Sequence, residues 1–347
     1  MHTIDLKNTD LRTDLVIDEI SNKQAKELGV VTNVVTKTKN TTLEEIEVTK
    51  ELEEKLHKKA GYYNTVSFQD VTDKNNFKDV ENVMIQALKL MYEKIKLKED
   101  GKILIVGLGN EKSTPDSLGP KCIDQVLVTR HLFLLGEVEN GYRNTASFKP
   151  SVTGATGIET KDLIEAVKCK VEPDLIIVID ALATNSIERL NKTIQIATSG
   201  ISPGSGIGND RMEISEKTLG VPVLAIGIPT VVDATTIVQN TLQLLLKQIS
   251  YKLSNQDNDK LKLVPVNKQD YQYHQCELTN EQKEDVLGMV GLLSDSEQKE
   301  LLLEVLLPVN YNLMVTPKEI DYVMDKLGLL LGNAINKSLH THFNPTN

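Results

Sequence analysis

Apolar residues recur along this chain in two rhythms. From Phe77 to about Lys98, Val80, Val83, Met84, Ala87, Leu88, Met91 and Ile95 return at three- and four-residue steps, which predicts an amphipathic helix. The central third instead carries short unbroken apolar runs. Ile103-Leu104-Ile105-Val106 ends in Gly107, Leu175 to Ile179 ends in Asp180, and Val221 to Ile228, with Pro222 near its start, ends in Pro229-Thr230 before the apolar-periodic stretch Val231 to Leu246. Unbroken runs of this length suit strands buried on both faces of a parallel sheet. Helical patterns at about Ser117–Leu132 and Glu159–Val171 fill the gaps, so the predicted fold class is α/β, a central doubly wound, mainly parallel sheet with flanking helices.

Around this core, residues 30–72 carry Thr- and Val-rich stretches that suit strands in a small N-terminal α+β section reaching to about residue 98. Residues 250–276 are polar and read as a loop or linker. Two further helical patterns follow, at about Thr279–Leu307 and Pro317–Ser338, as a C-terminal helical section over about 279–340. In the second, Thr316 is placed to N-cap, Pro317 to occupy the first helical position and Glu319 to complete a capping box. The length of 347 residues admits two domains of about 150 residues. The pattern favours one α/β domain over two independent ones, its sheet spanning about 100–250, with residues 1–20 too polar to predict more than a frayed terminus.

Composition narrows the function classes. Hydrophobic residues are 40% and charged residues 25%, as in folded globular chains. The net charge of −10 opposes the electrostatic attraction on which nucleic-acid binding depends, and with no Trp and 4% aromatics base-stacking platforms are not expected. Cys122, Cys169 and Cys276 are odd in number and form no C-x-x-C pair, which fits a reducing compartment. Residues 1–10 have neither a basic nor an apolar region of the signal-peptide kind, and no apolar run approaches the roughly 18 residues of a membrane span. A cytoplasmic protein without membrane partners is expected.

Familiar motifs are then eliminated in turn. Gly107-Leu108-Gly109-Asn110-Glu111-Lys112 follows a strand but has Lys112 where a dinucleotide fingerprint needs its third glycine. Gly204-Ser205-Gly206-Ile207-Gly208 lacks the Gly-Lys-Ser/Thr ending of a phosphate-binding loop, and Pro203 stands where a nucleophile elbow around Ser205 needs Gly. The six histidines show no metal-ligand spacing, and His340 and His342 read as a solvated tail. No metal and no cofactor are expected.

What remains is a pair of acids where an α/β sheet gathers its chemistry, beyond the carboxyl ends of its strands. Asp180 closes an apolar strand, and Asp116 lies in the loop after the preceding buried strand. Brought together, two carboxylates resist simultaneous ionisation, so one can stay charged as a base toward water while the other keeps a proton. Asp116 could equally cap the next helix, and Asp180 could bind loop amides. Glu159 and Asp233 lie near the same edge as caps or supporting acids, Arg130-His131 ends a helical pattern, and Arg189 could pair with an acid or hold a substrate carboxylate.

Longer strings carry a resemblance. Val106 to Asn110, Thr114 to Pro120, Val128 to Phe133, Gly154 to Thr160, Ile179 to Ala183, Ser186 to Arg189, Ser202 to Asn209, Ile228 to Ala234 and Asn312 to Glu319 together resemble the germination proteases of spore-forming bacteria, from about Arg12 to His340. The resemblance implies an endopeptidase that degrades the small acid-soluble spore proteins coating DNA in the dormant spore. It further implies a zymogen that processes itself near the N-terminus, a homotetramer, and a fold like that of the hydrogenase-maturation proteases. The family's proposed catalytic aspartates fall on Asp116 and Asp180. Arg12 to Glu19 is similar to the family's processing site, which predicts cleavage between Asp14 and Leu15 and removal of residues 1–14 as a pro-segment, leaving 15–347 as a single catalytic domain, although Val16, Ile17 and Asp18 replace the commoner Ala, Val and Glu. The alternative is a non-catalytic regulatory protein that binds peptides or anions through its glycine-rich loops and Arg189.

Overall fold

A computed structural model describes residues 14–16, 31–36, 38–56, 58–204, 211–255, 277–306 and 313–343. The strands are β1 (Val31–Thr36), β2 (Thr41–Val48), β3 (Gly61–Phe68), β4 (Ile103–Gly107), β5 (Thr145–Phe148), β6 (Leu175–Thr184), β7 (Thr193–Ala197), β8 (Val223–Asp233) and β9 (Met314–Val315). The first eight run in the order β1-β2-β3-β7-β8-β6-β4-β5. β4 pairs in parallel with both β5 and β6, and the starts of β6 and β8 are joined by the Ile176 N–H donating to the Pro222 carbonyl at 3.0 Å. The sheet is therefore α/β with the expected parallel centre. The predicted N-terminal α+β strands extend this same sheet, because β3 pairs antiparallel with β7 and β1 and β2 continue outward from it.

Both faces of the sheet are covered, which is why its central strands read as unbroken apolar runs. On one face Ile103, Ile105, Leu175, Ile177, Ile179, Ile194 and Ile196 pack with helices α1 (Lys74–Lys94), α2 (Leu118–Ile123) and α7 (Ile320–Leu339). On the other, Leu104, Val106, Ile176 and Val178 pack with Ile164 and Val171 of α3 (Thr160–Val171). α1 starts on an N-cap that works: Asp73 accepts from the Asn75 and Asn76 amides, both at 3.0 Å.

The chain divides into two compact units, one made of residues 11–231 and 316–347 and the other containing 232–315. In the second, Val232 and Asp233 pair with Val315 and Met314 of β9, and α4 (Ala234–Ser254), α5 (Asn280–Leu287) and α6 (Asp295–Leu306) follow one another. Gln239 and Gln243 of α4 donate to the main chain and carboxylate of Asp295.

Three local expectations give way to long-range contacts. The helix predicted over Ser117–Leu132 is broken after Ile123 and restarts at Arg130, so Arg130-His131 opens a helix and does not close one. The break is held by Asn336, almost fully buried, whose amide accepts from the Leu127 N–H and donates to the Gln125 carbonyl, each at 2.8 Å. The capping box at Thr316 does not form. The Thr316 hydroxyl donates instead to the Thr230 carbonyl at 2.8 Å, and α7 begins at Ile320. His340, read as part of a solvated tail, is 1% exposed, accepts the Arg143 N–H on Nδ1 at 3.1 Å, and burial pushes its imidazole down to about 4.

Candidate active site

The site grows from the ends of β4 and β6. These strands pair through Gly107 opposite Ile179, and the next residue, Leu108, donates its N–H to the Ile179 carbonyl at 2.8 Å. Ladder pairing thus carries the chain past Gly107 alongside Asp180. There the backbone turns at Gly109, whose φ of +102° is unfavourable for any residue with a Cβ. A Cβ at this position would also lie 2.1 Å from the Asp116 carbonyl oxygen and 2.9 Å from its Oδ1. The turn is therefore what lets the Asp116 loop close onto the strand end. Gly109→Ala is expected to displace that loop, lowering proteolytic activity at least tenfold and the melting temperature by several degrees; a variant with wild-type rate and melting curve would overturn this account.

Asp116 ends the short 3-10 turn Thr114–Asp116 and is half-buried. It is not the N-cap of α2, a position taken by Ser117, whose hydroxyl donates back to the Thr114 carbonyl at 2.8 Å and caps no helix amide. Its Oδ2 accepts the Asn110 N–H at 2.8 Å. Burial raises its carboxyl to about 6 against the opposing pull of that amide. Asp180 is 6% exposed and accepts the Ala181 N–H on Oδ1 at 2.9 Å. Its carboxyl is held well above the ordinary carboxylate range, first by burial, then by the negative charges of Asp116 and Asp14. The two strand-end acids are electrostatic neighbours, and a third carboxylate joins them.

That third acid docks on the end of β6. Asp14 Oδ2 accepts the Ala183 N–H at 2.9 Å, while the Asp14 N–H donates to the Ala183 carbonyl at 3.2 Å. Leu15 and Val16 are fully buried, Val16 among Ile46, Val48, Leu52, Leu56, Tyr63 and Ala197. The Gln195 side chain of β7 holds the same segment, donating from Nε2 to the Asp14 carbonyl at 3.2 Å and accepting the Val16 N–H on Oε1 at 2.7 Å. Sequence reasoning marks Asp14 and Leu15 only as a cleavage site; it does not reveal that Asp14 adds its charge to that of Asp116, nor that Ala183 and Gln195 hold it there. Arg12 and Thr13, which precede it, lie outside the described residues.

The other candidate residues have partners of their own. Asp233 accepts the Thr235 N–H at 2.7 Å and caps α4. Glu159 occupies the N-cap position of α3, paired with Arg211 at 3.3 Å. Arg189, in the 3-10 turn Ile187–Arg189, acts electrostatically on Glu44 of β2. In the glycine-rich stretch, Gly204 adopts a φ of +77°, while Ser205 to Gly208 lie outside the described residues, as does Cys276. Among the described residues no group of three or more His, Cys, Asp or Glu side chains is arranged to hold a metal ion, and no helix is long and apolar enough to cross a membrane.

The germination protease family profile matches residues 9–347 of the chain. The chain belongs to the germination protease family. Curated relatives named germination protease include that of Priestia megaterium, 40% identical over 97% of this chain and 95% of its own length. That of Bacillus subtilis is 39% identical with the same coverage of both chains. Among solved structures, a NiFe hydrogenase maturation protease from Thermococcus kodakarensis is similar over 42% of this chain and 80% of its own, at 16% identity and a TM-score of 0.27. Membership of the germination protease family makes the chain an endopeptidase of spore germination, in place of the alternative of a non-catalytic binding protein.

Proposed function

We propose that the chain is the zymogen of an endopeptidase that starts the breakdown of small acid-soluble spore proteins at germination, with Asp116 and Asp180 as its catalytic dyad. In this reading Asp116, the more weakly perturbed acid, is the base. It takes a proton from water as the water oxygen bonds to the peptide carbonyl carbon. Asp180, which holds its proton to higher pH, gives it to the leaving nitrogen as the C–N bond breaks, yielding a carboxylic acid and an amine. Transfer of the proton from Asp116 to Asp180 resets the pair.

One observation carries this reading: the Asp14–Leu15 bond is docked on the end of β6, three residues beyond Asp180, with the Asp14 charge acting on that acid. Removal of residues 1–14 between Asp14 and Leu15 is the self-processing step. The resemblance in sequence also supports a homotetramer working in the spore core on protein substrates. Incubating the full-length chain and sequencing its new N-terminus is the test. Leu15 is expected as the first residue, together with cleavage of added small acid-soluble spore protein; a persistent Met1 with intact substrate under every condition would overturn the proposal.

A further inference from the structure

Gln195 is a polar residue on β7, every residue of which is buried. It is 7% exposed, lies between Thr65 of β3 and Gly227 of β8 in the ladder, and alternates with Ile194 and Ile196, which face the α1, α2 and α7 side. Its side chain therefore faces the opposite side. By the same period-two rule Asp180 shares a face with Ile176 and Val178, which pack toward α3. Gln195 and Asp180 thus point to one face of the sheet, on strands separated only by β8.

Across that face the Gln195 amide spans one peptide bond. Its Nε2 donates to the carbonyl oxygen of Asp14, which is the carbonyl of the Asp14–Leu15 bond, and its Oε1 accepts from Val16, one residue beyond that bond. Both hydrogen-bonding ends of the amide are used on main-chain groups of the same short segment. A buried amide satisfied in this way fixes the segment in register along the strand direction. The Ala183 N–H fixes the acid side chain of the residue just before the bond.

We propose that Gln195 is the carbonyl-side donor and positioning residue for peptide cleavage. It holds the bond to be cut between the Asp180 strand and β7, and it stabilises the negative charge that develops on the carbonyl oxygen when water adds. This role rests on the reading of Asp14–Leu15 as the processed bond. The geometry defines the substrate requirement as well. A protein segment that replaces residues 14–16 must offer a side-chain oxygen acceptor to the Ala183 N–H, a carbonyl to Nε2, and an unblocked main-chain N–H two residues later to Oε1. Proline at that last position is excluded.

Two variants separate the donor from the packing. Gln195→Met keeps length and bulk but loses both hydrogen bonds. Gln195→Glu keeps the acceptor for the Val16 N–H and loses the donor whenever its carboxyl is ionised, whereas a protonated carboxyl can donate again. Each full-length variant, checked for an unchanged melting curve, is followed for the appearance of a Leu15 N-terminus and for hydrolysis of a peptide carrying an acidic residue before the cut. The expected result is a loss of about 10²-fold in rate for Gln195→Met, with kcat falling more than KM rises. For Gln195→Glu the deficit relative to wild type should shrink as pH is lowered from 8 to 5, which a purely structural role would not produce. An unchanged or faster rate in a folded Gln195→Met chain overturns the assignment, as does a pH-independent deficit in Gln195→Glu. A wild-type cut at a bond other than Asp14–Leu15 removes the underlying reading and the role of Gln195 with it, whereas a cut at that bond with undiminished variant rates removes the role of Gln195 alone.

Discussion

Asp180→Asn is expected to abolish self-processing and proteolysis while making the folded chain more stable at neutral pH. The loss follows from its place in the proposed dyad, where removal of a proton donor costs on the order of 10²–10⁴-fold in rate. The gain in stability follows from linkage. A carboxyl whose proton affinity is higher in the folded than in the unfolded chain stabilises the fold fully only below the unfolded value near 4. That stabilisation is lost as pH rises through the folded value. Asp116 loses its share between about pH 4 and about 6, and Asp180 continues to lose beyond that, because it is raised further by burial and by two neighbouring charges. An amide in place of either acid removes this decline. Melting temperatures recorded from pH 4 to 8 should therefore diverge with rising pH, the Asp180→Asn and Asp116→Asn chains ending several degrees above wild type. Activity in either variant, or a variant that melts below wild type at pH 7 to 8, would sink the assignment. Greater stability together with lost activity is the signature of acids held where the fold disfavours their charge.

The second large effect is on the pH dependence of processing. The proposed reaction needs Asp116 charged and Asp180 protonated, so the rate should rise through about pH 6 as Asp116 ionises and fall again where the Asp180 proton is lost. Asp14→Asn retains the size of the docked side chain and removes the charge that helps hold that proton. Its falling limb should move to lower pH, with the rising limb left near 6. Conversion of the full-length chain, followed from pH 4.5 to 9, measures both limbs. A wild-type rate that is flat through pH 6, or an Asp14→Asn profile with an unmoved falling limb, would contradict the three-carboxylate arrangement.

How much of this was legible in the sequence depends on whether the determining contact is local. The runs Ile103 to Val106 and Leu175 to Ile179 declare strands because both faces of each are apolar, and the position of Asp180 after such a run places an acid at a strand end. The positions of Asp116 and Asp180 were legible for that reason. The break after Ile123 was not, because the groups that hold it belong to Asn336, more than two hundred residues away. Thr316 has the right neighbours for a capping box and spends its hydroxyl on Thr230 instead. Gln195 was hidden by its own pattern. In Thr193-Ile194-Gln195-Ile196-Ala197 an alternating polar residue reads as the solvent side of a strand, whereas that side is interior, with Val16, Ile46, Val48, Leu52, Leu56 and Tyr63 packed around Ala197 and residues 14–16 docked on Gln195.

The burial of Leu15 and Val16 has one more consequence for a cut after Asp14. Both are fully buried, Val16 in the cluster with Tyr63 and with Ala197 of β7, so they have reason to remain when residues 1–14 depart. An acidic side chain then leaves the neighbourhood of Asp180, and a newly created α-amino group, cationic at neutral pH, stays behind on Leu15. The pro-segment would thus be exchanged for a local charge of the opposite sign, and the mature enzyme would begin work with an electrostatic setting at Asp180 that its precursor never had.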